Sequence, residues 1–361
     1  VAKTSIEWTK NADGTQGESW NPIRARFKGD GKKGWYCQKI SPGCAHCYAE
    51  RRNRWIGNGA NYNVSDLRTL DVYLDETALM APLRWKKPTT IFVCSMTDLF
   101  GDWVPDEWIE MVYAVEALCP QHTFIHVTKR PERRLQWYRG IDGVDGFRDA
   151  VVEGTAQSIY SKLHPEDKNV DEWLAVQLPL PNVIECVTIC NQAEADQHIP
   201  VLLDTPAACR GLSMEPLLEA VNLHAAFCRY GDPSKPEQRW CEGICESRKG
   251  IGLVIVGGES GPGARVCFVE HIRSLVQQCA VAGVNCFVKQ LGANSVYRED
   301  GLETGPVNYD VSTPEGEERA AVALGKELDR WHRIKFSDRK GGIPEEWPAD
   351  LRIRQFPEVL R

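Results

Sequence analysis

Thr90-Ile-Phe-Val-Cys-Ser-Met96 is a β-rich run that stops at the polar pair Thr97-Asp98. Pro105 follows with Asp106 and Glu107 behind it, the residues of a helix's first turn, and Trp108, Met111, Val112, Val115 and Leu118 then recur at helical spacing on one apolar face. Thr123-Phe-Ile-His-Val127 is a second β-run, ending in Thr128-Lys129-Arg130, and Pro131 starts the next helix. Strand, helix and strand in this order predict parallel βα units.

The pattern extends both ways. Towards the N-terminus, Ser19–Arg26 reads as a first strand, Tyr48–Ile56 as a helix ending in Gly57-Asn-Gly59, and Glu76–Trp85 as a helical patch. Towards the C-terminus, residues 139–178 are a polar, loosely helical excursion. Further strands are predicted at Asn182–Thr188 (closing at Asn191), Cys209–Ser213 (ending Met214-Glu215-Pro216), Gly252–Val256 (ending Gly257-Gly258-Glu259-Ser260) and Val284–Val288 (ending Lys289-Gln290). A helix with Val269, Ile272, Leu275, Val276 and Cys279 on one side stops at Gly283. About seven strands, most with polar residues at their carboxyl ends, favour a partial TIM-like (β/α) barrel, whose strand ends line one mouth, over a doubly wound sheet, which uses only its switch point. The expected layout is a barrel over residues 1–291, with insertions near 139–178 and 224–250, and a C-terminal extension over 292–361 with a helix near Glu315–Trp331.

The 361 residues are 42% hydrophobic and 26% charged, the balance of a globular protein. No apolar run is long enough to span a bilayer and no signal-peptide core is present, so a cytoplasmic protein without membrane association is expected. Fourteen cysteines in such a chain argue for reduced thiols and metal ligands. The net charge is −7, but residues 1–60 carry 11 Lys/Arg against 5 Asp/Glu, a local +6 that leaves −13 for the remainder. Arg24, Arg26, Lys28, Lys32, Lys33, Lys39, Arg51, Arg52 and Arg54 form this basic zone. It suits an anionic partner such as a nucleic acid, or it is a solvated surface.

At the centre of that zone lies Cys37-Gln-Lys-Ile-Ser-Pro-Gly-Cys44-Ala-His-Cys47, three thiols around a Pro-Gly turn. Three thiolates leave a metal centre one ligand short, and a [4Fe–4S] cluster held by three cysteines keeps one iron open. Structural zinc normally takes four protein ligands, and His46 adjoins Cys47 too closely to turn onto the same ion.

Asp98, Glu215 and Glu259 stand at strand ends, where a charge needs a partner: a ligand, with Lys129 as counter-charge, or an internal ion-pair network. The Gly257-to-Gly263 segment could admit a ligand close to the backbone. His224, Cys228, Cys241 and Cys245 have the proportions of a second metal site, a structural zinc or another cluster, or are ordinary buried thiols.

Together with the three-thiol loop, the motifs Ser95-Met-Thr-Asp-Leu-Phe100, Thr128-Lys-Arg-Pro131, Leu212-Ser-Met-Glu-Pro-Leu217, Val256-Gly-Gly-Glu-Ser-Gly-Pro-Gly263 and Asp338-Arg-Lys-Gly-Gly342 resemble those of the phage Gp37/Gp68 (DUF5131) family, which looks like an outlying branch of the radical S-adenosylmethionine (SAM) enzymes. The resemblance implies a radical-SAM-type barrel, a [4Fe–4S] cluster on Cys37, Cys44 and Cys47, and SAM on the open iron. Three departures stand out. Six residues, not three, separate the first two thiols, and His46 takes the place of an aromatic that meets the adenine. The Gly257-Gly258-Glu259 motif also comes late, so Ser95, Thr97 or Asp98 becomes a candidate for the SAM amino group, and Lys129 and Arg130 for its carboxylate. Tyr48 and Glu215 complete the implied cofactor contacts.

The implied activity is reductive cleavage of SAM to a 5′-deoxyadenosyl radical that modifies or isomerises a hypermodified thymine in phage DNA. A flavodoxin or ferredoxin would be the reductant, and the host cytoplasm the setting. A DNA repair lyase like spore photoproduct lyase and a non-catalytic, metal-stabilised nucleic-acid-binding module are the alternatives.

Overall fold

The structure is a computed structural model that describes residues 2–4, 6–11, 13–140, 146–223, 250–298, 331–338 and 340–357. Its strands are β1 (Ala2–Lys3), β2 (Glu18–Trp20), β3 (Ile23–Phe27), β4 (Lys33–Gly34), β5 (Leu70–Leu74), β6 (Thr90–Val93), β7 (Thr123–Thr128), β8 (Val183–Thr188), β9 (Cys209–Met214), β10 (Ile251–Gly257), β11 (Cys267–Phe268), β12 (Asn285–Gln290), β13 (Ser295–Arg298) and β14 (Trp331–Arg333). The helices are α1 (Tyr48–Ile56), α2 (Val64–Leu67), α3 (Glu76–Leu79), α4 (Asp106–Ala117), α5 (Pro131–Arg139), α6 (Phe147–Leu163), α7 (Val170–Trp173), α8 (Gln192–Asp204) and α9 (Val269–Ala282).

Hydrogen bonding orders the main sheet β1-β2-β6-β7-β8-β9-β10-β12. Seven of these strands form an open, curled parallel sheet, a partial barrel, to which β1 adds antiparallel. The expected α/β class with parallel strands is therefore what the chain adopts. No helix among the described residues is long and apolar enough to cross a membrane.

Packing divides the chain into two compact units: Val1–Thr188 with His198–Leu212 and Pro357–Arg361, and Ile189–Gln197 with Ser213–Phe356. In the first, β6, β7 and β8 pair in register (Val93 with His126, Thr128 with Val187). Every residue of β8 is buried, as a central parallel strand requires. Ile91, Val93 and Phe124 of the sheet pack with Ile109, Val112 and Tyr113 of α4, Trp137 of α5, and Val152 and Ala156 of α6 in one apolar core. In the second unit, β10 and β12 pair in parallel with α9 against them, and Gly283 ends α9 at φ 66°. There β11, β13 and β14 form a small sheet of their own.

Several elements differ from expectation. Ser19–Arg26 is not one strand: the chain leaves the main sheet at Asn21-Pro22, and β3 enters a separate sheet ordered β4-β3-β5. The excursion after residue 139 contains a regular 17-residue helix, α6. α8, absent from the sequence reading, starts where the Asn191 side chain accepts the Glu194 N–H at 2.8 Å, and it runs through Pro200. The tail helix expected near Glu315–Trp331 lies outside the described residues up to position 330, and Trp331 begins β14.

Candidate functional site

The cysteine loop grows out of the small sheet of the first unit. β4 ends at Gly34, and Trp35 and Tyr36 carry the chain to Cys37. Tyr36 is buried, its ring edge-on to Trp103 at 4.9 Å. Ser41 then caps a single 3-10 turn over Pro42–Cys44, its hydroxyl accepting the Gly43 N–H at 3.1 Å. Cys47 donates its N–H to the Cys44 carbonyl at 3.3 Å and is itself the N-cap of α1. The three thiols thus hang from an extended entry, a tight turn and a helix start.

Strand-end residues grip this loop. Thr97 donates its hydroxyl to the Tyr36 carbonyl, and Arg130 donates Nη2 to the Gln38 carbonyl at 3.2 Å, so the acceptors on both sides of Cys37 are held. The same guanidinium gives Nη1 to Asp98 at 3.1 Å and lies 4.7 Å from the Trp103 ring centre. Asp98 also accepts from Phe100 N–H, Thr128 hydroxyl and Lys129 N–H, which ties the end of β6 to that of β7. Cys94 turns the chain at the end of β6 with φ 55°, a conformation disfavoured for a side-chain-bearing residue. Just beyond it, the Tyr48 hydroxyl donates to the Ser95 carbonyl at 2.6 Å and the Tyr62 hydroxyl to the Met96 carbonyl at 2.7 Å. The Ser95 hydroxyl is engaged with Ser19 and Asn21.

From below, the loop rests on α1. Glu50, buried, accepts Tyr62 N–H at 3.0 Å, pairs with Lys39 at 2.7 Å and with Arg54 at 3.3 Å. Asn53, fully buried, accepts Trp35 N–H and donates to Asn58 and to the Ala60 carbonyl. Asn58 donates to the Ala25 and Trp35 carbonyls. A Cβ on Gly34 would stand 2.5 Å from Asn53 Oδ1 of α1 and 2.3 Å from Asn58 N just beyond it, so β4 reaches them only because residue 34 has no side chain.

The electrostatics follow from this packing. Burial pushes the Cys37 thiol well above its ordinary range, the Asp98 carboxylate adds to the rise, Arg130 opposes it, and charge on Cys47 or Cys44 raises it further. Burial also raises Cys47, against the pull of the Glu50 N–H, the Lys129 ammonium and the Ala49 N–H. Cys37 therefore senses charge on Cys47 and Cys44, and Cys47 senses charge on Cys44. Among the described residues, no group of three or more His, Cys, Asp or Glu is placed to hold one metal ion. A single tetrahedral ion with Zn–S bonds of about 2.3 Å would need its sulfurs about 3.8 Å apart.

In the second unit, the strand-end carboxylates have internal partners. Glu215 pairs with Lys289 at 2.9 Å, and Glu259 accepts from the Arg265 backbone N–H at 2.9 Å and from its guanidinium at 2.7 Å. With Asp98 on Arg130, all three carboxylates thus meet a cation. For Asp98 it is Arg130, while Lys129 contributes its backbone N–H. What approaches Gly257 and Gly258 closely is the protein's own backbone: a Cβ on Gly258 would lie 2.2 Å from the Leu291 carbonyl oxygen.

The structure thus brings Cys37, Cys44, Cys47, Tyr48, Ser95, Thr97, Asp98, Lys129 and Arg130 into one unit, with His46 exposed beside Cys47. Glu215, Gly257, Gly258 and Glu259 belong to the other. His224, Cys228, Cys241 and Cys245 lie outside the described residues. Sequence reasoning passes over Tyr36, Glu50, Asn53, Asn58 and Tyr62. Their one signal is that Glu50 and Asn53, three apart, share a helix face.

The family model described as "Protein of unknown function (DUF5131)" matches residues 3–333. No curated protein and no solved structure matches the chain.

Proposed function

The chain belongs to the DUF5131 family, and we propose that it is a radical SAM enzyme whose partial barrel is of the radical-SAM type and whose [4Fe–4S] cluster is held by Cys37, Cys44 and Cys47. The observation that carries this reading is the triple-thiol loop itself, whose backbone is held by Thr97 and Arg130 on both sides of Cys37. Its residues suit such a group: the thiols are only partly exposed, Cys37 and Cys47 feel charge on their neighbouring thiols, and Arg130 and Lys129 act on Cys37 and Cys47 respectively. A cluster spreads its thiolates over separate irons, so it does not require them to converge on one point, as a single ion does. A cluster held by Cys37, Cys44 and Cys47 would supply the electron for reductive cleavage of SAM, and so radical chemistry at an unactivated C–H bond.

The chain's own contribution is positioning. Four donors occupy the Asp98 carboxylate, which offers about four lone-pair sites. Asp98 and Arg130 therefore serve the loop, and recognition of the SAM carboxylate falls to Lys129. Of the other candidates for the amino group, the Ser95 hydroxyl is engaged with Ser19 and Asn21, while the Thr97 hydroxyl donates to the Tyr36 carbonyl and keeps lone pairs to accept it. The α1 amides and Lys129 favour thiolate at Cys47. The substrate in this reading is a modified thymine in DNA, with a flavodoxin or ferredoxin as electron donor.

Anaerobically purified protein is expected to be brown with about four irons per chain at this loop. Reduced, it should cleave SAM to 5′-deoxyadenosine, and Cys44→Ala should abolish both properties. A colourless protein holding only zinc would instead make it a metal-stabilised nucleic-acid-binding module. Turnover of modified-thymine DNA against UV-damaged DNA separates isomerase from repair lyase.

A further inference from the structure

α1 is inside out. It buries Glu50 and Asn53 and exposes Trp55 at 83%, Ile56 at 60% and Tyr48 at 45%. Tyr48, Arg51, Arg52 and Trp55 fall at i, i+3, i+4 and i+7, one face of the helix, with two aromatic rings about 10 Å apart along the axis and two guanidiniums between them. The face is held firmly. Glu50 and Asn53 anchor the opposite side, and the Tyr48 hydroxyl is tied to the Ser95 carbonyl.

The basic zone separates into spent and unspent charge. Arg24 pairs with Asp75, Arg26 with Asp71, and Lys39 and Arg54 with Glu50, while Lys28 donates to the Arg68 carbonyl. Among the described residues, the side chains of Arg51, Arg52, Lys32 and Lys33 form no ion pair, and all four are exposed. Of these, Arg51 and Arg52 lie on α1's outer face, between two exposed rings.

We propose that this face binds single-stranded DNA, with bases stacking on Trp55 and Tyr48 and phosphates meeting Arg51 and Arg52. Flat rings interleaved with guanidiniums match a chain that alternates bases and phosphates, and stacking serves any base. The face begins at Cys47, so a strand held on it runs past the cysteine loop. The choice of DNA rests on the proposed function, but the binding itself does not depend on any cofactor.

The test is fluorescence anisotropy of the full chain with a labelled oligo-dT, with a duplex of the same length, and in competition with an acidic protein, across a salt series. Wild type should prefer the single strand. Trp55→Ala should weaken it about 5- to 100-fold with the salt slope unchanged. Arg51→Ala/Arg52→Ala should weaken it and lower the slope by about 1.4. All three side chains are exposed, and circular dichroism checks that the variants fold. Equal affinity for duplex, wild-type affinity in both variants, or tighter capture of the acidic protein would overturn the proposal. SAM cleavage without DNA is read separately, so loss of oligo binding with cleavage intact rejects this face alone, and the converse rejects only the cluster.

Discussion

Lys39 and Glu50 close the cysteine loop on itself, the ammonium 2.7 Å from the carboxylate, with Cys44 and Cys47 in the segment between them. Burial works against the Glu50 charge, but Lys39, the Tyr62 N–H and Arg54 outweigh it and hold its pKa below the ordinary 4.5. A depressed carboxylate gives stability that is present above the ordinary value and is lost as pH falls through the folded one. Glu50→Gln should cost about 1–3 kcal/mol at neutral pH and flatten this acid limb, as read by thermal melts from pH 3 to 7.

Arg130 joins Asp98, Gln38 and Trp103, and both members of its ion pair are nearly buried. Arg130→Ala should destabilise by about 3–5 kcal/mol, since the Asp98 charge stays buried without its cation. Arg130→Lys should fold better yet still load less iron than wild type, because an ammonium cannot reproduce the planar fork that serves two acceptors. Melting temperature and iron content measured together separate the two effects.

Metal loading at the loop should be pH dependent. The Cys37 and Cys47 thiols are raised and must lose their protons to bind metal, so each adds up to about tenfold to the apparent loading constant per pH unit below its pKa. Affinity should rise with pH, as followed by chelator competition. A flat profile would mean that these thiols are not the ligands.

A charged cluster inside the first unit makes a separate prediction. His126 lies 2.7 Å from Glu116 and 3.5 Å from Glu185, and Glu185 also accepts from Arg134, Tyr113 and Tyr138. Burial disfavours the imidazolium, but Glu116 and Glu185 overcome it and raise His126 to about 10. Its stabilisation is complete below the ordinary 6.5 and is lost as pH climbs through about 10. His126→Gln should cost about 3–5 kcal/mol at pH 7 and reduce the alkaline loss, which denaturant unfolding at pH 7 and 9.5 would measure.

Two glycines test packing against propensity. Gly258→Ala should destabilise by about 1–3 kcal/mol because its Cβ meets the Leu291 carbonyl at 2.2 Å. Gly154→Ala, in α6 with nothing within 4 Å, should stabilise by about 0.5–1 kcal/mol.

Where local pattern and tertiary role agree, the sequence is legible. α1, α4, α5 and α9 begin and end close to where proline, acidic first turns and Gly57 or Gly283 predict, and β7, β8 and β12 fall on their β-rich runs. The split at Asn21-Pro22 escapes because both halves are β-rich, and the Asn21 side-chain Oδ1, which accepts the Met96 N–H at 2.8 Å, marks where the chain turns away. α8 escapes because Pro200 argues against a helix that tertiary packing supports. At the site, the thiols announce themselves by spacing. The groups that hold them do not, because backbone carbonyls such as those of Tyr36 and Gln38 carry no sequence signal.

Asn53 and Asn58 fasten Trp35, just after β4, to α1, so the entry of the cysteine loop is tied to the helix at its exit by bonds that do not involve the thiols. Zinc fingers, which fold only around their ion, behave in the opposite way. A chelator should therefore empty this receptacle without collapsing it. Under the proposed function, damage by oxygen would then be a matter of refilling, and the same polypeptide would pass through repeated cycles of loss and repair.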